Sequence, residues 1–188
     1  MVSRLGTAAR GARWLPSLGT WAAALFLALL ALVQTSVLPY FEVLGAQPSL
    51  VLVSVVILAT MQVGTRALGL GFAGGLMVDL FSAAPLGTNA LLFTLIAYVA
   101  GGGFGGVDRA NIVIPATAVV LATAAYYPSV LLALQLQGVD VVWEAHLPAR
   151  LWPAIIVNLG AAAVLYYPVR MLERWTHGRP IPTYRGVR

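Results

Sequence analysis

The stretch "GFAGGLMVDLFSAAPLGTN", residues 71–89, decides how the chain is read. It is almost wholly apolar and rich in small residues, yet it carries one carboxylate, Asp79, and breaks at Pro85 and Gly87. On a helix, Gly71, Gly75 and Asp79 follow each other at i, i+4 and i+8 and share one face. Gly71 and Gly75 form a small-xxx-small pair, and Gly74 widens the bare strip, so another helix backbone can approach closely. The acid is therefore expected to point into a helical bundle, because an ionisable group at this depth costs at least about 2.5 kcal/mol and lipid exposure adds to that.

Composition explains why lipid is the relevant surrounding. Of the 188 residues, 60% are hydrophobic and only 9% charged, with a mean hydropathy of +0.89. Soluble domains carry about 25% charged residues. Too little polar surface remains to cover a water-soluble fold, so the chain reads as an all-α integral membrane protein. It has no cysteine, which removes disulfides, thiolate metal sites and cysteine nucleophiles. His146 and His177 lie outside the apolar segments and far apart, which suits solvated interfacial residues better than metal ligands. The basic residues are all arginine and cluster towards the termini, a pattern of membrane topology rather than nucleic-acid binding.

Six apolar runs are expected to span: 18–38, 50–62, 67–81, 86–100, 112–136 and 151–172. They form one membrane domain, 18–172, between tails at 1–17 and 173–188. Arg4, Arg10 and Arg13 precede the first run as in a signal peptide, but no small-x-small cleavage site follows, so a retained helix is expected. Only "VGTR" separates the second and third runs, predicting a tight hairpin. Helices 2 and 3 are short, roughly 20–23 Å against a hydrocarbon core of about 30 Å. "GGGFGG" at 101–106 reads as a flexible loop after the fourth. It lacks the preceding strand and the lysine of a phosphate-binding loop.

Six spans put both termini on one side. Arg4, Arg10, Arg13, Arg66, Arg109, Arg170, Arg174, Arg179, Arg185 and Arg188 then share that side, and Arg150 alone lies on the other with Glu42, Asp140 and Glu144. The positive-inside rule makes the arginine-rich side cytoplasmic. "YYP" occurs at 126–128 and again at 166–168. An internal repeat is one reading; aromatic belts at the two interfaces, with proline kinks, are the other.

Asp79 lies 13 residues beyond Arg66, about 20 Å along a helix and in the outer half of the bilayer. The break at Pro85 and Gly87 favours a turn there. Irregular backbone at such depth must be buried in protein or line a wet cavity. Thr88 and Asn89 open the fourth helix and can cap it. Gln34, Thr35 and Ser36 reach a similar depth on the first helix. An outward-facing polar cluster follows: Gln34, Thr35, Ser36, Asp79, Thr88 and Asn89. Asp79 either accepts hydrogen bonds from the 82–89 loop and holds the turn, or helps bind a partner or ligand, or relays protons. Asn158, mid-way in the sixth helix, suits an interhelical hydrogen bond. No G-x-S-x-G, H-E-x-x-H or P-loop motif is present, so no enzyme, cofactor or metal site is read from the sequence.

"LVQTSVLPYFEVLGAQPSLVLVSVVILA" followed by "GLGFAGGLMVDLFSAAPLGTNALLFTLIAYVAG" resembles the MreD family of rod shape-determining proteins. The positions that carry this are Gln34 and Thr35, Pro48 to Leu50, Gly71 to Leu80, Pro85 to Gly87, and Tyr98 to Gly101, with Ser49 where an acid is frequent. The resemblance covers roughly residues 25–105; the last two helices agree only in hydropathy. It implies a non-enzymatic, multi-pass scaffold of the cell-elongation machinery in the bacterial cytoplasmic membrane. The partner it implies is the single-span protein MreC, with MreB, RodA and a class B penicillin-binding protein further away. The family is similar in fold to substrate-binding subunits of energy-coupling-factor transporters, which supplies an alternative: a small-molecule-binding subunit. Such a subunit needs ligand contacts from the 1–2 and 3–4 loops, where Tyr40, Phe41, Glu42 and Phe81 are sparse. Its Ala-x-x-x-Ala strip would fall on Ala24 and Ala28, in a helix crowded with alanine. Arg170 and Arg174 could also meet anionic lipid headgroups.

Overall fold

A computed structural model of the chain describes residues 18–43, 45–62, 65–81, 86–104 and 112–176. Among the described residues six α-helices follow one another. They are α1 (Leu18–Ser36), α2 (Leu50–Met61), α3 (Thr65–Phe81), α4 (Thr88–Phe104), α5 (Val113–Leu136) and α6 (Trp143–Thr176). A 3-10 turn, Leu38–Tyr40, follows α1, and Val43 and Ala46 form an isolated antiparallel bridge before α2. Among the described residues three segments are long and apolar enough to cross a membrane: Trp21–Tyr40, Val113–Leu136 and Trp143–Trp175. Leu50–Met61 and Thr88–Phe104 are shorter apolar helices. With 12 residues α2 is about 18 Å long, and with 17 residues α3 is about 26 Å.

The centre belongs to α2. Every residue from Val51 to Met61 is buried, and the helix touches each of the other five. A helix that is apolar on all sides belongs inside a bundle. The surrounding helices turn large apolar side chains outward instead: Leu25 and Leu29 of α1, Leu91 and Leu95 of α4, Trp152 and Val164 of α6. Such an exterior suits lipid, not water.

The closest pairing is α3 with α4. A Cβ on Gly71 would meet the Phe93 carbonyl and stand 2.8 Å from the Ala97 Cβ; one on Gly75 would meet the Asn89 carbonyl and the Ala90 Cα. The small-residue strip is thus filled from within the chain. Gly74 does not widen it, because it faces α2, where a Cβ would stand 2.6 Å from Val55 Cγ2.

Two boundaries differ from the sequence reading. The glycines at 101–103 continue α4 to Phe104 rather than opening a loop. Gly101 is held there by packing, since a Cβ would stand 2.9 Å from the Ala67 Cβ of α3. Tertiary contact overrides the low helix propensity of glycine, about 1 kcal/mol per residue. Next, α6 begins at Trp143, well before the apolar run, and its 34 residues extend about 51 Å. Its polar first turns are largely exposed, with Glu144 placed well for the positive end of the helix dipole. His146 is exposed there, its ring Nδ1 2.8 Å from the Val142 carbonyl oxygen.

Gly75→Val is expected to destabilise the fold by about 3 kcal/mol or more, because backbone of α4 has to move. Gly102→Ala, with open space around its Cβ, should instead leave stability unchanged or raise it by up to about 1 kcal/mol. Unfolding of both variants in detergent, followed by circular dichroism, checks the pair.

Candidate functional site

Helix starts leave N–H groups without intrahelical partners, and inside an apolar medium no water serves them. The local sequence does not solve this at α2, where the N-cap Ser49 side chain makes no capping bond. Two other helices do. Asn158 Oδ1 of α6 accepts from the Ser49 N–H at 2.8 Å, and Gln34 Oε1 of α1 accepts from the Val51 N–H at 3.0 Å. Asn158 also donates through Nδ2 to Thr123 Oγ1 of α5 at 3.1 Å, and that hydroxyl donates to the Val119 carbonyl at 2.8 Å.

At α4 the same task falls to Asp79, which is 2% exposed. Its Oδ2 accepts from the N–H groups of Gly87 and Ala90, both at 3.0 Å. Its Oδ1 accepts from the Asn89 N–H at 3.1 Å and from Asn89 Nδ2 at 2.9 Å. Four donors fill the roughly four acceptor positions of a carboxylate. The charge also sits at the positive end of the α4 dipole. Gly87 has φ +99°, a conformation that favours glycine, and this turns its N–H towards the acid.

Asn89 does not cap its own helix with its side chain. Its amide is shared between Asp79 and Tyr126, whose hydroxyl donates to Asn89 Oδ1 at 2.7 Å. The Tyr126 ring lies 5.6 Å from that of Phe93 and 5.7 Å from that of Tyr127. A polar path therefore runs from α3 through α4 to α5. The tyrosine pairs are not simply belts: Tyr126 is bonded inside the bundle and Tyr166 is buried, while Tyr167 is exposed.

The expected polar cluster comes together only in part. Asp79, Gly87 and Asn89 meet as described. Thr88 is the first residue of α4 and half-buried. Gln34 reaches α2 instead, Thr35 turns its hydroxyl back to the Ala31 carbonyl at 2.9 Å, and Ser36 is exposed. Gly71 and Gly75 are buried under α4. Pro85 lies outside the described residues.

A cleft of about 450 Å³ opens where α1 and α5 end and α2 and α6 begin. Gln34, Glu42, Gln47, Tyr126, Tyr127 and Arg150 are among its lining residues. The segment over it is pinned by Ala46, which packs on Ala154 and Val157 with Tyr127 beside them. The floor is reached by the polar path, because Tyr126 both lines the cleft and holds Asn89. Glu42 and Arg150 bring opposite charges to it. The opposite end of the bundle carries Arg66, Arg170 and Arg174. Among the described residues no group of three or more His, Asp or Glu could hold a metal ion.

The family described as rod shape-determining protein MreD matches residues 16–175. The chain belongs to the MreD family. No curated protein and no solved structure matches it. The match runs from ahead of α1 to the end of α6, so it includes the two helices whose own motifs carried no resemblance. Membership makes this MreD-family chain a membrane protein of rod-shape determination.

Sequence reading gave Tyr126, Tyr127, Gln47 and Ser49 no role in the site, and used Arg150 only for topology. The one available signal was the polar "GAQPS" run between two apolar helices, with a tyrosine pair placed inside the fifth. Asp79→Asn, which turns an acceptor into a donor facing N–H groups, is expected to cost about 3 kcal/mol. Asn158→Ala should cost about 1–3 kcal/mol, for one lost cap and one freed hydroxyl. Thermal unfolding of the purified variants tests both, and the order Asp79 above Asn158 is the expected result.

Proposed function

We propose that this MreD-family chain is a six-span scaffold of the bacterial cytoplasmic membrane that docks a MreC-type partner in the cleft between Gln34, Tyr127 and Arg150. Both termini are cytoplasmic in this reading. It is supported by the ten-to-one division of arginines between the two sides. The short helices α2, α3 and α4 then cross as parts of a bundle that thins or kinks around them. On this orientation the cleft faces outward, at the level where a single-span protein leaves the membrane.

The observation that carries the reading is the cleft itself. It combines apolar walls with Gln34, Gln47, Ser49, Glu42 and Arg150, the mixture expected where a chain segment leaves lipid for water. Asp79 serves it indirectly: its four bonds are all internal, and they fix Asn89, which fixes Tyr126 in the cleft wall. MreB, RodA and a class B penicillin-binding protein would be reached through that partner. A second reading is favoured by the cleft volume, about 450 Å³, which lies within the usual small-molecule range of roughly 300–1,000 Å³. In that case the chain is a ligand-binding subunit of the energy-coupling-factor type.

A photocrosslinker placed at Gln47 in living cells, with mass spectrometry of the adduct, separates the two. Capture of a single-span MreC-type protein, lost on Arg150→Glu, is the expected outcome. Capture of lipid alone, or of a transporter's transducing subunit, sinks the docking reading. Arg150→Glu should weaken partner association about tenfold or more, as charge reversal at an interface does, with the melting temperature unchanged because Arg150 is exposed.

A further inference from the structure

A second cavity lies in the half of the bundle that carries Arg66, Arg170 and Arg174. It measures about 490 Å³ and runs between the start of α5 and the second half of α6. Ala116 and Val120 form one wall, Leu159 and Ala163 the other, and Ile57 of the central helix lies at its floor. Ile57 is fully buried, so the groove reaches the core of the fold. It exists because α5 and α6 face each other here through alanines, and its rim is open: Val113, Leu159 and Ala163 are exposed. An empty apolar slot forfeits dispersion contacts, and a polar occupant would find almost no partners in it.

Tyr166 also lines the groove. One helical turn further, Arg170 sets its guanidinium 5.8 Å from the Tyr166 ring centroid, with Nη1 3.4 Å from the Tyr166 hydroxyl. Arg174 follows on the next turn of the same face. Glu173 between them is buried and already engaged. An apolar slot with a guanidinium on the far side of one of its lining residues, Tyr166, matches an amphiphile with an acyl chain and an anionic head. The planar guanidinium pairs with phosphate through two parallel hydrogen bonds.

We propose that this groove binds one anionic phospholipid, its acyl chain between α5 and α6 and its phosphate on Arg170. Neither the docking partner nor the orientation in the membrane enters this inference. It differs from general attraction of basic residues to a charged leaflet, because it specifies one molecule in one slot.

Native mass spectrometry of the purified full chain, given dioleoyl phosphatidylglycerol or dioleoyl phosphatidylcholine, provides the test. The wild type should retain a single phosphatidylglycerol with at least about fivefold preference, the effect of one arginine at an anionic surface. Arg170→Gln should abolish the preference, with the larger loss on phosphatidylglycerol because the choline cation of phosphatidylcholine already offsets its phosphate, and Arg170→Lys should keep most of it. Ala163→Trp, which fills the slot from its exposed rim, should lower retention of both lipids. Equal retention by the wild type, an undiminished preference in Arg170→Gln, or a ladder of bound lipids unaffected by Ala163→Trp overturns the site. A photocrosslinker at Ala116 in cells guards against misfolded variants: lipid capture supports the proposal, and capture of another protein's helix overturns it.

Discussion

A backbone N–H that begins a helix within an apolar medium has no water to bond, and this demand organises the polar side chains of the fold. Three residues from other helices meet it: Asp79 at α4, and Gln34 and Asn158 at α2. Each unmet group would cost several kcal/mol in lipid. The carboxylate is the strongest of the three, because its charge opposes the positive end of a helix dipole and takes four hydrogen bonds at once. An acid that looks misplaced in a greasy chain is thereby explained by the helix start beside it.

The cap and the packing depend on each other. Asp79 can reach residues 87–90 only because α3 and α4 approach to backbone contact, and they approach because Gly71 and Gly75 present no side chain. Conversely, the four bonds to Asp79 fix where α4 begins and so which residues oppose those glycines. The arrangement extends through Asn89 to Tyr126, so α5 is placed by the same polar path. Such networks are costly when half-satisfied and specify one geometry when complete.

The two ends of the bundle differ in chemistry. At the arginine-poor end, a looped segment leaves a cleft with charged, amide and phenolic groups around it. At the other end, a largely apolar slot lies between α5 and α6, and Arg170 contacts Tyr166, one of its lining residues. Each is built from gaps between helices rather than from a dedicated insertion.

Much was legible in the residues alone. Hydropathy and length set six helices and the break at Gly87, while the central burial of α2 emerged only in the fold. The i, i+4, i+8 spacing of Gly71, Gly75 and Asp79 marked a buried face, and the ordered motifs pointed to the MreD family. Those signals are local, carried by residues a few positions apart. The tertiary structure decided what is not local. Gln34 caps a helix 17 residues away and Asn158 bonds a backbone group 109 residues away, at separations where sequence spacing carries no distance information. Gly101 stays helical because α2 and α3 press on it, and Tyr126 turns inward because Asn89 Oδ1 is there to accept its hydrogen bond. Pattern fixes which face of each helix is apolar; only packing chooses which polar atom on one helix completes the backbone of another.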